Sequence, residues 1–523
     1  MDLAKAVLIV VAIASMVLVG ERWSYNFDAT YNLLSWQSLA GGEGFTYRYD
    51  GKDLHFDPTI STGPELYAPT FVLWKVLGAT TYDAATWTLV ACYAALFAFF
   101  AWGLYRVRWR GLLALAVLLF LLVSNRELLA ADQGFLLAPL GEPVAVVSTA
   151  IGFFCLSRQW YVVAALVLGL ALDVKPNIVV GIAPALLVFY WRSRVRRGDP
   201  TAASGASSEG KTRWWAPDRV VSLAWVFAWV LLLVLPHVIY TQVLPRLSLS
   251  ETSYTDWTVA RRYRVHHMAD RSLGQLKAFR VTSREAGLES ALREHGRTTL
   301  EKIDRLRGFY SNSYLALLAV LFSVIVLMVS AREHFGFYLL VVGAFNLTWW
   351  LFFTGDAWYR YFLVTDLLWL VAVAAVLPSL LARPMRAAPL AAALTLVAMT
   401  AIELSPGAMA ARVEENHKSR LQWDRTAEAV RAIDGSRIYT YGWFQCPQVM
   451  FLADKRFSDY TSKTWQERCT DASEPCYFLE CVENALIREE TENATRGRPV
   501  VARHGANVLY LLRAERGAAQ QGP

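Results

Sequence analysis

Four acids and a set of basic residues near apolar segments carry what chemistry this sequence can do. Asp28 lies eight residues beyond a first apolar run, Leu3–Gly20. It opens the stretch DATYNLLSWQSLAGG, in which Leu33, Leu34, Trp36 and Leu39 recur at helical spacing and Gly41-Gly42 end the turn. Asp28 can cap such a helix. The pattern predicts a short amphipathic helix on a membrane surface with a carboxylate at its N-terminal end and Tyr31 one turn along. Pro58, Gly63, Pro64 and Pro69 punctuate the next segment, which brings in Asp57 and Glu65. Solvated loop charge is the ordinary reading of those two acids. Asp28, pinned beside aromatic residues at a bilayer, is the candidate base.

The other charged positions each carry two readings. Glu142 stands just before Pro143 at the start of an apolar run, which suits a helix's first turn; it is also a candidate second acid, with Asp57 and Glu65. Lys175, in the tip Asp173-Val-Lys175-Pro-Asn177 of a tight hairpin, is a snorkelling end residue or a fixed cation for a phosphate. Arg261, Arg262, Arg264, His266 and His267 form a basic, aromatic-flanked cluster, either a solvated helix face or a clamp of forked guanidinium donors. As a metal pair His266-His267 is weak, because adjacent side chains diverge. Arg360, between Tyr359 and Tyr361, is an aromatic-belt anchor or a cation turned into a pocket.

Positioning these groups falls to apolar helices. The chain has 523 residues, 55% hydrophobic and 18% charged, with 20 Trp, 23 Tyr and 26 Phe; its mean hydropathy is +0.31. That composition specifies a polytopic membrane protein. Apolar runs fall at 3–20, 84–104, 111–124, 143–157, 160–174, 177–191, 220–240, 313–331, 336–353, 361–382 and 388–404, about eleven spans of a ~30 Å hydrocarbon core. The first could pass for a cleavable signal, but the aromatic helix behind it argues for retention. Leu66–Gly78, bounded by Pro69 and Lys75, reads as a half-buried interfacial helix.

With the N-terminus inside, every short basic loop falls on the cytoplasmic side: 106–110, Arg158, 192–219, 331–334 and 383–386. The first loop (21–83), segment 125–142, the long loop 241–312 and residues 405–523 then fall outside. The inner loop 192–219 is basic and rich in Gly, Ser and Ala, a linker near anionic lipid. The net charge of +7 is met by these loops, so nucleic acid is not implied. Cys92 and Cys155 lie in spans; Cys446, Cys469, Cys476 and Cys481 fall within 36 residues in the outer tail. An oxidising compartment predicts two disulfides there, in any of three pairings. Their spacing lacks the paired knuckles of a zinc site. No metal is assigned, although a divalent ion stays open. From 405 onward a helix and then a strand suggest a small α/β domain.

A carboxylate outside, cations beside it and a large bundle in lipid suit transfer of a sugar from a polyprenyl phosphate. The tail needs a groove, the phosphate needs Lys or Arg, and the acceptor hydroxyl needs a base. The chain resembles the GT-C superfamily of integral-membrane glycosyltransferases, in particular the branch of protein O-mannosyltransferases and lipid A aminoarabinose transferases. The resemblance rests on Asp28 followed by Gly42-Glu-Gly44, ISTGPELYAP (60–69), Leu140-Gly-Glu142, Asp173-Val-Lys175-Pro and Tyr359-Arg360-Tyr361. It covers residues 1–400 and leaves the C-terminal region aside. It implies a GT-C-like catalytic domain over 1–404; the topology adds an extracytoplasmic, disulfide-bonded domain over 405–523. It further implies Asp28 as base, with Lys175, Arg360 and the arginines at 261, 262 and 264 on the donor phosphate. The pocket would be lined by Tyr31, Tyr359, Tyr361 and His266. The branch usually carries an acidic pair in the first loop; here Asp28 is followed by Ala29. The expected partners are a polyprenyl-phosphate sugar, an envelope glycan, lipid or protein acceptor, and membrane lipid, at the cytoplasmic membrane. A ligase or polymerase of lipid-linked glycans would share this site chemistry. A transporter or flippase would instead call for midplane charges and an internal repeat, and the sequence has neither.

Overall fold

The computed structural model describes residues 2–41, 46–49, 52–55, 67–99, 141–198, 223–232, 273–310, 313–332, 334–355, 360–381, 387–401, 406–433, 437–440, 446–455, 457–459, 469, 475–481, 492 and 495–513. Within them the chain is a helical bundle with one small sheet at one end. The bundle helices are α1 (Asp2–Gly20), α4 (Tyr82–Ala98), α5 (Gly141–Ser157), α6 (Tyr161–Val174), α7 (Val179–Gly198), α8 (Leu223–Leu232), α11 (Tyr314–Ser330), α12 (Gly336–Phe352), α13 (Arg360–Leu381) and α14 (Ala387–Ala401). Each coincides with a predicted span; the run 111–124 lies outside the described residues. Leu3–Gly20 and Phe362–Leu381 are long and apolar enough to cross a membrane, and the other apolar helices are shorter. Leu3, Val7, Val10 and Val11 stay exposed along α1, as side chains facing lipid would. The local signals are ordinary: Thr81 caps α4 by accepting from Ala84 N at 3.3 Å, and Ser313 does the same for α11.

Contacts along the helices fix which ends lie together. Gly20, ending α1, sits against Thr86 near the start of α4, so closely that a Cβ there would come within 2.9 Å of Thr86 Cγ2. Phe99, capping α4, meets Phe154 late in α5 edge-on at 4.5 Å. The helices α4 and α5 therefore run in the same direction. Phe154 also meets Phe335, just before α12, at 5.5 Å, and Phe189 of α7 meets Tyr338 at 5.4 Å. Gly336 packs on Ala372 and Val376, so α12 and α13 form an antiparallel hairpin. One end of the bundle thus gathers the end of α1 and the starts of α4, α5, α7 and α13.

That same end carries the remaining elements: α2 (Phe27–Ala40), α3 (Ala68–Leu77), α9 (Gly274–Glu285), α10 (Leu288–Phe309), α15 (Pro406–Arg431) and α16 (Pro447–Ala453). The sheet has the order β2-β1-β4-β3-β5-β7-β6. Its strands are β1 (Thr46–Tyr49), β2 (Lys52–His55), β3 (Arg437–Thr440), β4 (Phe457–Asp459), β5 (Cys476–Glu480), β6 (Val500–His504) and β7 (Asn507–Arg513). The first-loop hairpin β1–β2 joins it through a parallel contact, Tyr49 opposite Phe457. Disulfides link Cys446 to Cys481 and Cys469 to Cys476. As its sequence suggests, α3 is half buried: Thr70 and Trp74 are covered while Val72, Val76 and Leu77 are exposed.

The opposite end closes on an aromatic cluster with His334 in its turn. His334 Nδ1 accepts from Gly336 N, at the first residue of α12, at 3.2 Å. Burial, reinforced by the nearby Arg158 charge, lowers the His334 pKa from 6.5 to about 4. The unfolded imidazole then takes up a proton at pH values where the folded one does not. The stability this group contributes is complete above pH 6.5 and is lost as pH falls toward 4. Thermal unfolding followed between pH 7 and 4.5 should show a declining Tm, and His334→Gln should flatten that decline; an unchanged slope would contradict the assignment.

Candidate active site

The carboxylate of interest is placed by its neighbours in sequence. Asn26 is extended (φ −75°, ψ 133°), and its Oδ1 accepts from Ala29 N at 3.0 Å. Asn26 is therefore the cap of α2, which corrects the expectation that Asp28 caps it: Asp28 stands inside the first turn, half-buried, where the helix dipole favours a negative charge. The cap is itself fastened, because Asn26 N donates to the Tyr82 hydroxyl at 3.1 Å. Tyr25 meets the same Tyr82 ring edge-on at 5.0 Å.

A second correction concerns the helix as a whole. It does not lie on a surface with one face bare. Ala29, Thr30, Asn32 and every residue from Leu33 to Ser38 are buried. One covering element is α16, some 400 residues further along the chain: Gln37 Nε2 donates to Phe451 O at 3.0 Å. Another is α3, through Trp36 against Phe71 at 5.3 Å.

The C-terminal helix α15 locks this corner. The Arg420 guanidinium donates to both Asp83 oxygens, at 2.8 and 2.9 Å, and to Gly20 O at 3.4 Å. It also lies over the Tyr25 ring at 4.7 Å. The Tyr25 hydroxyl donates to Asp424 Oδ1 at 2.7 Å, and Ser24 pairs with Ser419 at 2.8 Å. Burial raises the Tyr25 pKa, against the pull of the Arg420 cation, so Tyr25 remains a phenol and a donor.

The two ambiguous charges of the sequence prove to be partners. Lys175 Nζ lies 2.7 Å from Glu142 Oε1, with side-chain exposures of 14% and 1%. The pair spans the open end of the α5–α6 hairpin, on the same end of the bundle as α2. Glu142 stands in the first turn of α5, as its place before Pro143 suggests, and is buried and paired there as well. Its cation is held at the membrane-end rim instead of snorkelling outward.

Arg360 and Tyr361 open α13 at that end. The C-terminus of α12 is fixed by Lys302, which no sequence motif marks. Lys302, fully buried, donates to Trp350 O and Thr354 O at 2.7 Å each and to Gln275 Oε1 at 2.9 Å. A buried ammonium thereby satisfies the carbonyls at the C-terminus of α12. Nothing in its mixed-charge surroundings distinguishes Lys302 in the sequence. Tyr31 is half-buried and stacks on Phe27 at 6.4 Å. Asp57, Glu65, Arg261, Arg262, Arg264, His266 and Tyr359 lie outside the described residues, as do the side chains of Arg360 and Tyr361.

No protein-family model matches this chain, and no curated protein does. Among solved structures, it aligns with apo ArnT from Cupriavidus metallidurans over 99% of both chains, at 16% identity and a TM-score of 0.47. It also aligns with the oligosaccharyltransferase AglB from Archaeoglobus fulgidus, solved with an inhibitory peptide and a dolichol-phosphate. That alignment covers 87% of this chain and 65% of AglB, at 13% identity and a TM-score of 0.44.

Removing one partner of a buried ion pair leaves the other uncompensated, at a cost of about 3 kcal/mol. Glu142→Gln and Lys175→Met should each lower the thermal unfolding temperature, and the double substitution should recover most of that loss. Additive losses in this cycle would mean that the two side chains are not coupled.

Proposed function

We propose that this chain is an inverting glycosyltransferase of the GT-C kind. Its donor is a sugar on a polyprenyl phosphate and its acceptor belongs to the cell envelope, with the site facing outward from the cytoplasmic membrane. The supporting observation is the gathering of α2 with Asp28 in its first turn, the buried Glu142–Lys175 pair and the Arg360-bearing start of α13 on one end of an apolar bundle. Asp28 accepts the proton of the acceptor hydroxyl as its oxygen attacks the anomeric carbon. The bond from that carbon to the phosphate oxygen breaks on the opposite side, which inverts the centre and leaves a polyprenyl phosphate. Lys175, oriented by Glu142, and Arg360 neutralise the charge developing on that phosphate. A phosphate leaves without needing a general acid, so one carboxylate suffices. Glu142 then serves as a holder for Lys175 and not as a second base. The apolar helices supply the groove for the lipid tail, and neither ATP nor a sugar nucleotide is called for outside the membrane.

The test is mass spectrometry of the lipids that copurify with the protein, followed by turnover of the lipid identified. Asp28→Asn should stay folded and lipid-bound while its turnover falls about 10²–10⁴-fold, the range that general-base catalysis supplies. Full turnover by that variant would remove Asp28 from the mechanism.

A further inference from the structure

At the end of the bundle away from α2, the ends of α5 and α7 meet the starts of α6, α8 and α12 around a cavity of about 150 Å³. Its polar lining is Ser157, Gln159, Tyr161, Arg192 and Ser193, and no acid is among the described residues that line it. Leu156 and Phe189 belong to the apolar part of the wall. The space is well above the ~10–15 Å³ that one water needs. It is below the roughly 300–1,000 Å³ of a pocket for a whole small molecule. A single polar headgroup lies between those limits. Gln159 joins α5 to α6 at φ 63°, a left-handed backbone that glycine adopts freely and a long side chain does not. A strained residue whose amide lines a cavity points to a ligand there.

Charge and depth select the ligand. Arg192 Cζ lies over the Phe337 ring at 4.9 Å, and Arg158, next to Gln159, lies over Phe154 at 5.2 Å. Stacking engages the face of a guanidinium, whereas its N–H edge is what recognises a phosphate. Trp160 before α6, Trp191 late in α7 and Trp225 early in α8 are each more than half exposed. Tryptophan gathers at the level of lipid headgroups, so the three helices that frame the cavity carry it at that depth. We infer that the cavity takes the phosphate headgroup of an anionic phospholipid from the surrounding leaflet, with Arg192 as its cation. Val163 and Leu166 of α6 and Leu187 of α7 are exposed along the same helices, an apolar surface for the acyl chains. Basic pockets between membrane helices are recurrent sites for anionic headgroups. A free phosphate shares the charge chemistry but makes no use of the tryptophan belt or the apolar surface. The inference stands apart from the glycosyltransferase reading, because it concerns the other end of the bundle and involves no donor.

The experiment titrates the full chain in detergent with dioleoylphosphatidylglycerol, dioleoylphosphatidylcholine and inorganic phosphate. Bound lipid is counted by native mass spectrometry, and thermal unfolding is followed with each probe. Wild type should retain the anionic lipid over the zwitterionic one by about fivefold, the worth of one basic group against anionic lipid. It should also unfold at a higher temperature with that lipid, while inorganic phosphate changes neither readout. Arg192→Gln should lose the preference. Ser193→Leu, which fills the cavity and keeps the guanidinium, should lose it too; Arg192→Gln decides alone if the leucine disturbs the fold. A preference that survives Ser193→Leu in a folded protein would put the lipid on surface charge outside the cavity and overturn the inference. An unchanged preference in Arg192→Gln, or none in wild type, would overturn it as well. Stabilisation by inorganic phosphate without any lipid preference would assign the cavity to a soluble phosphate and contradict the lipid source.

Discussion

One guanidinium holds the corner around α2 together. Arg420 reaches from α15 to the carboxylate of Asp83 at the start of α4, to the last carbonyl of α1 and over the ring of Tyr25. Its Nη2 serves both Asp83 oxygens while Nη1 reaches the Gly20 carbonyl, so one planar group ties α15 to α4 and to α1 at once. Tyr25 is gripped from two sides, by Arg420 above its ring and Asp424 at its hydroxyl, and the adjacent Asn26 caps α2 while its amide is tied to Tyr82. The position of Asp28, two residues on, is therefore a consequence of contacts between segments some 400 residues apart. The shared sheet adds to the same coupling, since the β1–β2 hairpin of the first loop pairs with β4.

Buried cations divide the remaining labour. Lys302 closes the C-terminus of α12 with carbonyls and an amide, a cage that leaves it little to offer a ligand. Lys175 instead pairs with the Glu142 carboxylate and keeps a fraction of its surface open. An ammonium in the first setting is a structural pin that steadies the end of α12. An ammonium in the second is held by an opposite charge at the rim of the bundle. Burial alone would not have told them apart; the partner chemistry does.

Much of the bundle was legible from hydropathy, because spans of uniform apolarity need no long-range information, and the half-buried α3 followed from local rules. The failures share a cause. The burial of α2 depends on α16 and α3, whose arrival no local pattern announces, so its mixed surface read as amphipathic. The choice of cap between Asn26 and Asp28 was settled by Tyr82, which a window of a few residues does not contain. The Glu142–Lys175 contact joins two residues that were each ambiguous alone and became informative as a pair. One local signal was present and passed over: TYRYDGKDLH, residues 46–55, carries Asp-Gly between alternating residues, the mark of a two-residue hairpin.

All of the proposed chemistry requires that the end of the bundle bearing α2 face away from the cytoplasm. Single cysteines at Phe27, beside Asp28, and at Trp160, exposed at the opposite end, test this directly in intact cells with a membrane-impermeant thiol reagent. The account predicts that Phe27→Cys is labelled at once and Trp160→Cys only after the membrane is opened. The reverse pattern would put the carboxylate and its cations on the cytoplasmic side and contradict it.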